Sequence, residues 1–172
     1  MLACFRDNGL VTDHVRVTDA VTAYTDVATG PDGDRSFVFE EYGACRGYRP
    51  CEAEIALLLR MRHVHIGWLD DGGALKRRLV AAGVSVSQDL AVNPGAEGLA
   101  VAFASAGDRR EAAHRMARDI LAQGARLAVV TRGAHGSLAT DGRETIETGV
   151  TPVAVADTTG AGDTFIAGFL AA

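Results

Sequence analysis

The chain has 172 residues, 48% hydrophobic and 23% charged, a balance that fits one globular domain with its own core. Its formal charge is −5 without a basic run, which argues against a nucleic-acid partner, and no apolar stretch is long enough to span a membrane. Three cysteines, Cys4, Cys45 and Cys51, form no Cys-x-x-Cys pair; this argues against a disulfide framework or structural zinc and for a reducing cytoplasm.

Leu2, Cys4 and Phe5 before Asn8-Gly9 read as the last turn of a helix. Residues 11–17, 22–27 and 36–39 are β-rich, with the turn signal Gly30-Pro31-Asp32-Gly33 before the last of them. Residues 11–42 therefore predict a small antiparallel flap, either a lid over a site or an edge extension of the main sheet. From about Pro50 onward, strand and helix patterns alternate. The helices are expected near residues 50–60, 73–82 and 109–123, the last with Ala113, Met116, Ala117, Ile120 and Leu121 in one stripe. Strands are expected at 64–67, 84–87, 99–104 and 127–130, and a short one at 153–156. That order predicts an α/β body over residues 50–172, a doubly wound, mostly parallel sheet with helices on both faces. The chain closes inside an apolar run, Phe165 to Ala172, without a cap or polar stop, so it reads as a segment of a longer domain.

The segment richest in chemistry is Asp157-Thr158-Thr159-Gly160-Ala161-Gly162-Asp163-Thr164-Phe165, which opens the last helix. Small residues at a helix start leave backbone N–H groups pointing outward on the positive end of the helix dipole, which makes an anion site. A carboxylate there repels phosphate, so Asp163 needs a reason to be present: accepting a proton from an attacking hydroxyl, or capping the helix. A P-loop is excluded because Asp163 stands where it needs Lys, and the dinucleotide pattern is excluded because Phe165 stands where it needs Gly.

The string from Asp157 to Asp163 resembles the second signature of the ribokinase-like, pfkB-type carbohydrate kinases. Val129-Val130-Thr131-Arg132-Gly133-Ala134-His135-Gly136-Ser137 is similar to that family's nucleotide-holding strand and glycine turn, and Thr22-Ala23 with the stretch from Asp32 to Phe37 is similar to its lid strands. The stretch Ala102 to Ala106, with Phe165 to Leu170, resembles the fructoselysine 6-kinase subgroup, which acts on the 6-hydroxyl of a sugar joined to an amino acid. The resemblance implies a partial ribokinase-like domain over residues 1–172, with the family's first strands expected before Met1 and its adenine-side helix after Ala172.

It also implies ATP-dependent phosphoryl transfer to a sugar or sugar derivative. Asp163 is then the general base, and Gly160, Ala161 and Gly162 form the anion hole. Thr131, Gly133 and Gly136 hold the nucleotide. Asp157 and Thr159 hold a monovalent cation such as K⁺. The family's Asn-x-x-Glu motif, which places Mg²⁺ through water, is replaced by Ser105-Ala106-Gly107-Asp108, where Asp108 substitutes for Glu; Asn93 to Glu97 has the wrong spacing and reads as a loop. A homodimer through the lid is a further implication. A nucleoside kinase of the same family and a non-catalytic, nucleotide-binding fragment stand as alternatives. His63 and His65 share one strand face as a metal pair does, but lack a third ligand nearby; Asp70, Asp71 and Asp89 follow strands and are candidates to face a substrate.

Overall fold

The computed structural model describes residues 2–30, 35–107, 109–155 and 157–172. Two compact units are present, Met1–Glu54 and Ile55–Ala172. In the first, a short helix α1 (Leu2–Asp7) precedes an antiparallel hairpin of β1 (Tyr24–Thr29) and β2 (Arg35–Glu41). The expected turn at 30–33 lies largely outside the described residues. The strand expected at 11–17 does not form. Val15 N–H closes a turn on Thr12 O at 3.0 Å, Arg6 Nε donates to Thr12 Oγ1 at 2.8 Å, and Val11 and Val17 are 77% and 70% exposed. β-branched composition favours a strand only where a neighbouring strand pairs its backbone groups, and this segment has no such neighbour among the described residues.

Helix α2 (Glu52–Leu58) starts two residues after Pro50, later than expected. The cause is local: Glu54 Oε2 accepts the Cys51 N–H at 2.6 Å, the reciprocal half of a capping box, and so sets the helix start.

The second unit is built on a six-stranded sheet. β3 (His63–Ile66), β4 (Ser85–Asp89), β5 (Val101–Ser105) and β6 (Ala128–Thr131) are parallel; β7 (Ser137–Thr140) and β8 (Thr145–Thr148) continue it antiparallel. α3 (Ala74–Ala81) links β3 to β4, α4 (Arg110–Ala122) links β5 to β6, and α5 (Ala161–Ala171) ends the chain. Helices cover both faces, as the strand–helix alternation predicts. Ile55, Leu75, Leu79, Ala113, Ala117 and Ile120 pack on the face carrying Val64, Val86, Ala102, Val130 and Leu138. On the opposite face Ile166 packs with Phe103 and Val129, and Phe103 meets Phe169 edge-on at 5.5 Å. Burying each fully enclosed side chain such as Leu79, Leu99 or Leu138 contributes about 1.5–3 kcal/mol.

One expectation for the end of the chain needs correction. Residues 153–155 form no strand; Val153 and Val155 are 74% and 68% exposed and have no ladder partner among the described residues, while Ala156 lies outside them. The β7–β8 hairpin was not anticipated. Its turn is fixed by Asp141 Oδ1, which accepts the N–H groups of Arg143 and Glu144 at 2.8 and 2.9 Å, and by Gly142 at φ 88°. No helix among the described residues is long and apolar enough to cross a membrane.

Candidate active site

Parallel strands bring their carboxyl ends to one edge of the sheet, where helix N-termini also gather. Here a cavity of about 420 Å³ opens at that edge. Asp89 lines it from the end of β4, Ser105 from the end of β5 and Thr131 from the end of β6. Gly133 and Gly136 line it from the turn after β6, Thr148 to Val150 from the end of β8, and Ala161 and Gly162 from the start of α5. Five of the expected site residues, Thr131, Gly133, Gly136, Ala161 and Gly162, thus share one space. Gly160 and Asp163 flank this lining, and Asp108 lies outside the described residues.

The glycine turn is held from several sides. Arg132 N–H donates to Gly136 O at 2.7 Å, His135 N–H to Arg132 O at 2.9 Å, and Ala106 N–H to Thr131 O at 3.0 Å, which ties β5 to β6 at the cavity floor. Gly136 has φ 84° and ψ −139°, a region open to glycine alone, and a Cβ there would fall on the Thr148 carbonyl oxygen. His135 is exposed in the turn.

The start of α5 is equally specific. Gly160 is its N-cap at φ 73°, so no side chain folds over the first-turn amides. Ala161 N–H is used by Thr158 O at 3.1 Å, and Thr164 N–H and Oγ1 both donate to Gly160 O at 2.9 Å. Gly162 and Asp163 belong to the first turn, where the helix itself supplies no acceptor for the N–H. Asp163 is exposed, and its charge reaches His65 on β3. In the loop before α5, Asp157 Oδ1 accepts the Thr159 N–H at 2.7 Å.

Several weighed residues take structural roles. Asp71 caps α3, accepting the N–H groups of Gly73 and Leu75 at 2.8 Å each. Asn93 is buried and clamps the loop after β3 by donating to Gly67 O and accepting Leu69 N–H at 3.2 Å. Cys4, Cys45 and Cys51 are exposed free thiols. Among the described residues, no three His, Cys, Asp or Glu side chains gather as a metal site.

A charge cluster behind the glycine turn is not visible from sequence. Arg132 is only 5% exposed and donates to Glu147 Oε2 at 2.8 Å, while Arg110 and His114 of α4 reach Glu147 Oε1, each at 3.1 Å. Glu147 thus joins β8, α4 and the turn. The hydrogen bond from Arg110, then that from Arg132, holds its carboxyl below the usual carboxylate range, against the opposing effect of desolvation. A depressed pKa in the folded state means that the stability Glu147 contributes is present above the ordinary carboxylate pKa and is lost as pH falls through the folded value. Glu147→Gln is accordingly expected to lower the melting temperature at neutral pH, because a buried guanidinium loses its counter-charge. Thermal melts of both proteins should converge on acidification past the carboxylate range.

Comparison with known proteins gives this geometry a context. Residues 90–172 match the pfkB family carbohydrate kinase. The chain is 34% identical over 169 residues to the fructoselysine 6-kinases of Shigella flexneri and Escherichia coli (strain K12), covering 94% of this chain and 64% of each of theirs. The chain therefore spans 64% of the length of these curated relatives. Its fold is also that of the ribokinase of Arabidopsis thaliana, whose structure holds ribose and ATP. The TM-score is 0.78 at 22% identity, over 94% of this chain and 60% of that one.

Proposed function

We propose that the protein transfers the γ-phosphoryl group of ATP to a hydroxyl of a sugar derivative, with fructosamines such as fructoselysine as the substrate class, because residues 90–172 match the pfkB family carbohydrate kinase and the chain is similar to two fructoselysine 6-kinases. The observation that carries this reading is the single cavity lined by both the glycine turn after β6 and the start of α5. The first suits the nucleotide and the second suits its terminal phosphate.

In this reading Thr131, Gly133 and Gly136 hold the nucleotide against the end of β6. Asp163 takes the proton from the sugar hydroxyl, the hydroxyl oxygen bonds to the γ-phosphorus, and the bond to the β-phosphate oxygen breaks to release ADP. The first-turn amides of α5, with the helix dipole behind them, stabilise the charge on the transferred group. Such positioning and electrostatics supply most of the catalysis in phosphoryl transfer. Gly160, Ala161 and Gly162 are assigned together to this anion hole, although the Ala161 amide is held by Thr158 in the structure and must release it to contribute. Asp157 and Thr159 offer the hard oxygen donors that suit a potassium ion, and Mg²⁺ would neutralise the phosphate charge when bound.

The test is ADP formation from Mg-ATP with a panel of sugars, fructosamines and nucleosides, followed by phosphorus NMR of the product. A sugar phosphate monoester supports the reading, and turnover with fructosamines above free sugars supports the substrate class. Turnover confined to nucleosides, or none with any acceptor, overturns it. The flap formed by β1 and β2 is assigned to self-association of two copies, and a single-chain mass by light scattering overturns that part.

A further inference from the structure

His63 and His65 alternate along β3 and therefore point to the same sheet face, as do Ser85 and Ser87 on β4, which pair with them in register. The four side chains are joined end to end. His63 Nδ1 lies 2.8 Å from Ser85 Oγ, and His63 Nε2 lies 2.8 Å from Ser87 Oγ. Ser87 Oγ lies 2.9 Å from His65 Nδ1. Ser87 is 0% exposed, so protein groups must satisfy its hydroxyl.

A serine hydroxyl has one proton to donate, and the buried Ser87 hydroxyl has only these two rings as partners among the described residues, so one of them must accept it. If Ser87 donates to His65 Nδ1, it must accept from His63 Nε2–H; if it donates to His63 Nε2, it must accept from His65 Nδ1–H. The tautomers of the two neutral rings are therefore locked together, both Nε2–H or both Nδ1–H. The free nitrogen of His65 decides between them. The charged and titratable groups acting on His65 are His63 on its own strand, Asp89 on β4 and Asp163 on α5; β5 presents only the Phe103 ring, edge-on at 6.1 Å. Asp89 and Asp163 favour the protonated ring, and Nε2 is the nitrogen that Ser87 leaves open to them.

We propose that Ser85, His63, Ser87 and His65 form one hydrogen-bonded relay that fixes His65 as the Nε2–H tautomer and makes it a pH-responsive positioning residue beside Asp89 and Asp163. The catalytic half of this inference rests on the kinase reading above; the tautomer half does not. Desolvation, and then the neighbouring His63, hold the His65 ring below the ordinary imidazole range, so it is neutral at neutral pH and leaves Asp163 free to act as a base. On acidification His65 takes a proton on Nδ1 and the Ser87 hydroxyl turns back toward His63. Ser87 O–H can donate only to a bare His63 Nε2, so His63 releases its Nε2 proton to solvent and takes one on Nδ1, from which Ser85 accepts. The new imidazolium adds a positive charge on the side of His65 where the charge of Asp163 acts, and so opposes proton transfer from the acceptor hydroxyl.

Long-range proton–nitrogen NMR of ring-labelled histidine in the protein tests the relay without turnover. At neutral pH both rings are expected to carry their proton on Nε2. Ser87→Ala should uncouple them, so that His65 becomes a tautomer mixture. Asp163→Asn should lower the His65 titration midpoint, because a charge favouring its protonated form is gone. If Ser87→Ala does not fold, His63→Gln serves as the uncoupling variant. A proton on His65 Nδ1 in the wild type, unchanged His65 tautomers in the uncoupling variant, or an unmoved His65 midpoint in Asp163→Asn each overturns the proposal. In the active enzyme, His65→Gln is expected to move the acid limb of the kcat profile to lower pH; a loss equal at every pH overturns the positioning role. Absence of turnover with an intact NMR pattern would count against the kinase reading alone.

Discussion

Asp163→Asn is expected to lower turnover roughly 10²- to 10⁴-fold while nucleotide affinity stays near that of the wild type. Asparagine keeps the shape of the side chain and removes its capacity to accept a proton. Asp163 is not among the residues lining the cavity, so a nucleotide held there would keep its contacts. The carboxylate sits exposed in the first turn of α5, where a negative charge stabilises the helix by at most about 1 kcal/mol. A purely capping role therefore predicts the opposite pattern, a small drop in melting temperature with turnover intact. Steady-state kinetics and a calorimetric nucleotide titration on the same preparation separate the two.

Gly136→Ala is expected to damage fold and binding together. Its backbone lies at φ 84° and ψ −139°, where a side chain costs on the order of 1–3 kcal/mol before any contact is counted. The added Cβ would also fall on Thr148 O and come within 2.8 Å of Gly149 Cα, both backbone atoms of the opposite cavity wall. Relief requires β8 to move away from the turn, which strains the Arg132–Glu147 pair. Gly162→Ala is the informative contrast. No atom lies within 4 Å of a Cβ there, and alanine in place of helical glycine stabilises by up to about 1 kcal/mol. Its methyl group would stand in the lining where the terminal phosphate is assigned, so nucleotide affinity should fall while the melting temperature holds or rises. Thermal melts with and without ADP measure both effects.

The parts of this molecule that read well from sequence are those governed by local pattern. The stripe Ala113, Ala117 and Ile120 places α4 within a residue of its position, because burial on one face repeats with the helical period. The start of α5 within the stretch from Asp157 to Asp163 was also legible, because small residues before an apolar run mark a helix N-terminus. What failed depends on pairing. Residues 11–17 and 153–155 have strand composition and no strand beside them among the described residues, whereas Ser137–Thr140 and Thr145–Thr148 are short, polar and paired. The Asp141-Gly142 pair between them was the available signal for a hairpin. Without β8, the cavity wall at Thr148 to Val150 and the role of Glu147 were out of reach, since Arg132 and Glu147 meet only through the β7–β8 register. The strand pair His63 and His65 was visible, but its partners Ser85 and Ser87 lie 22 residues further on and are brought into line by parallel pairing alone.

Amide chemical-shift mapping of the labelled protein on addition of ADP with Mg²⁺ reads the proposed nucleotide site directly. The largest shifts are expected on Thr131, Gly133, Gly136, Ala161 and Gly162, the residues that line one cavity from two separate segments. Shifts gathered instead around Met116, Ile120 and Gln123, in the groove beside α4, or no shifts in the folded protein, would contradict it.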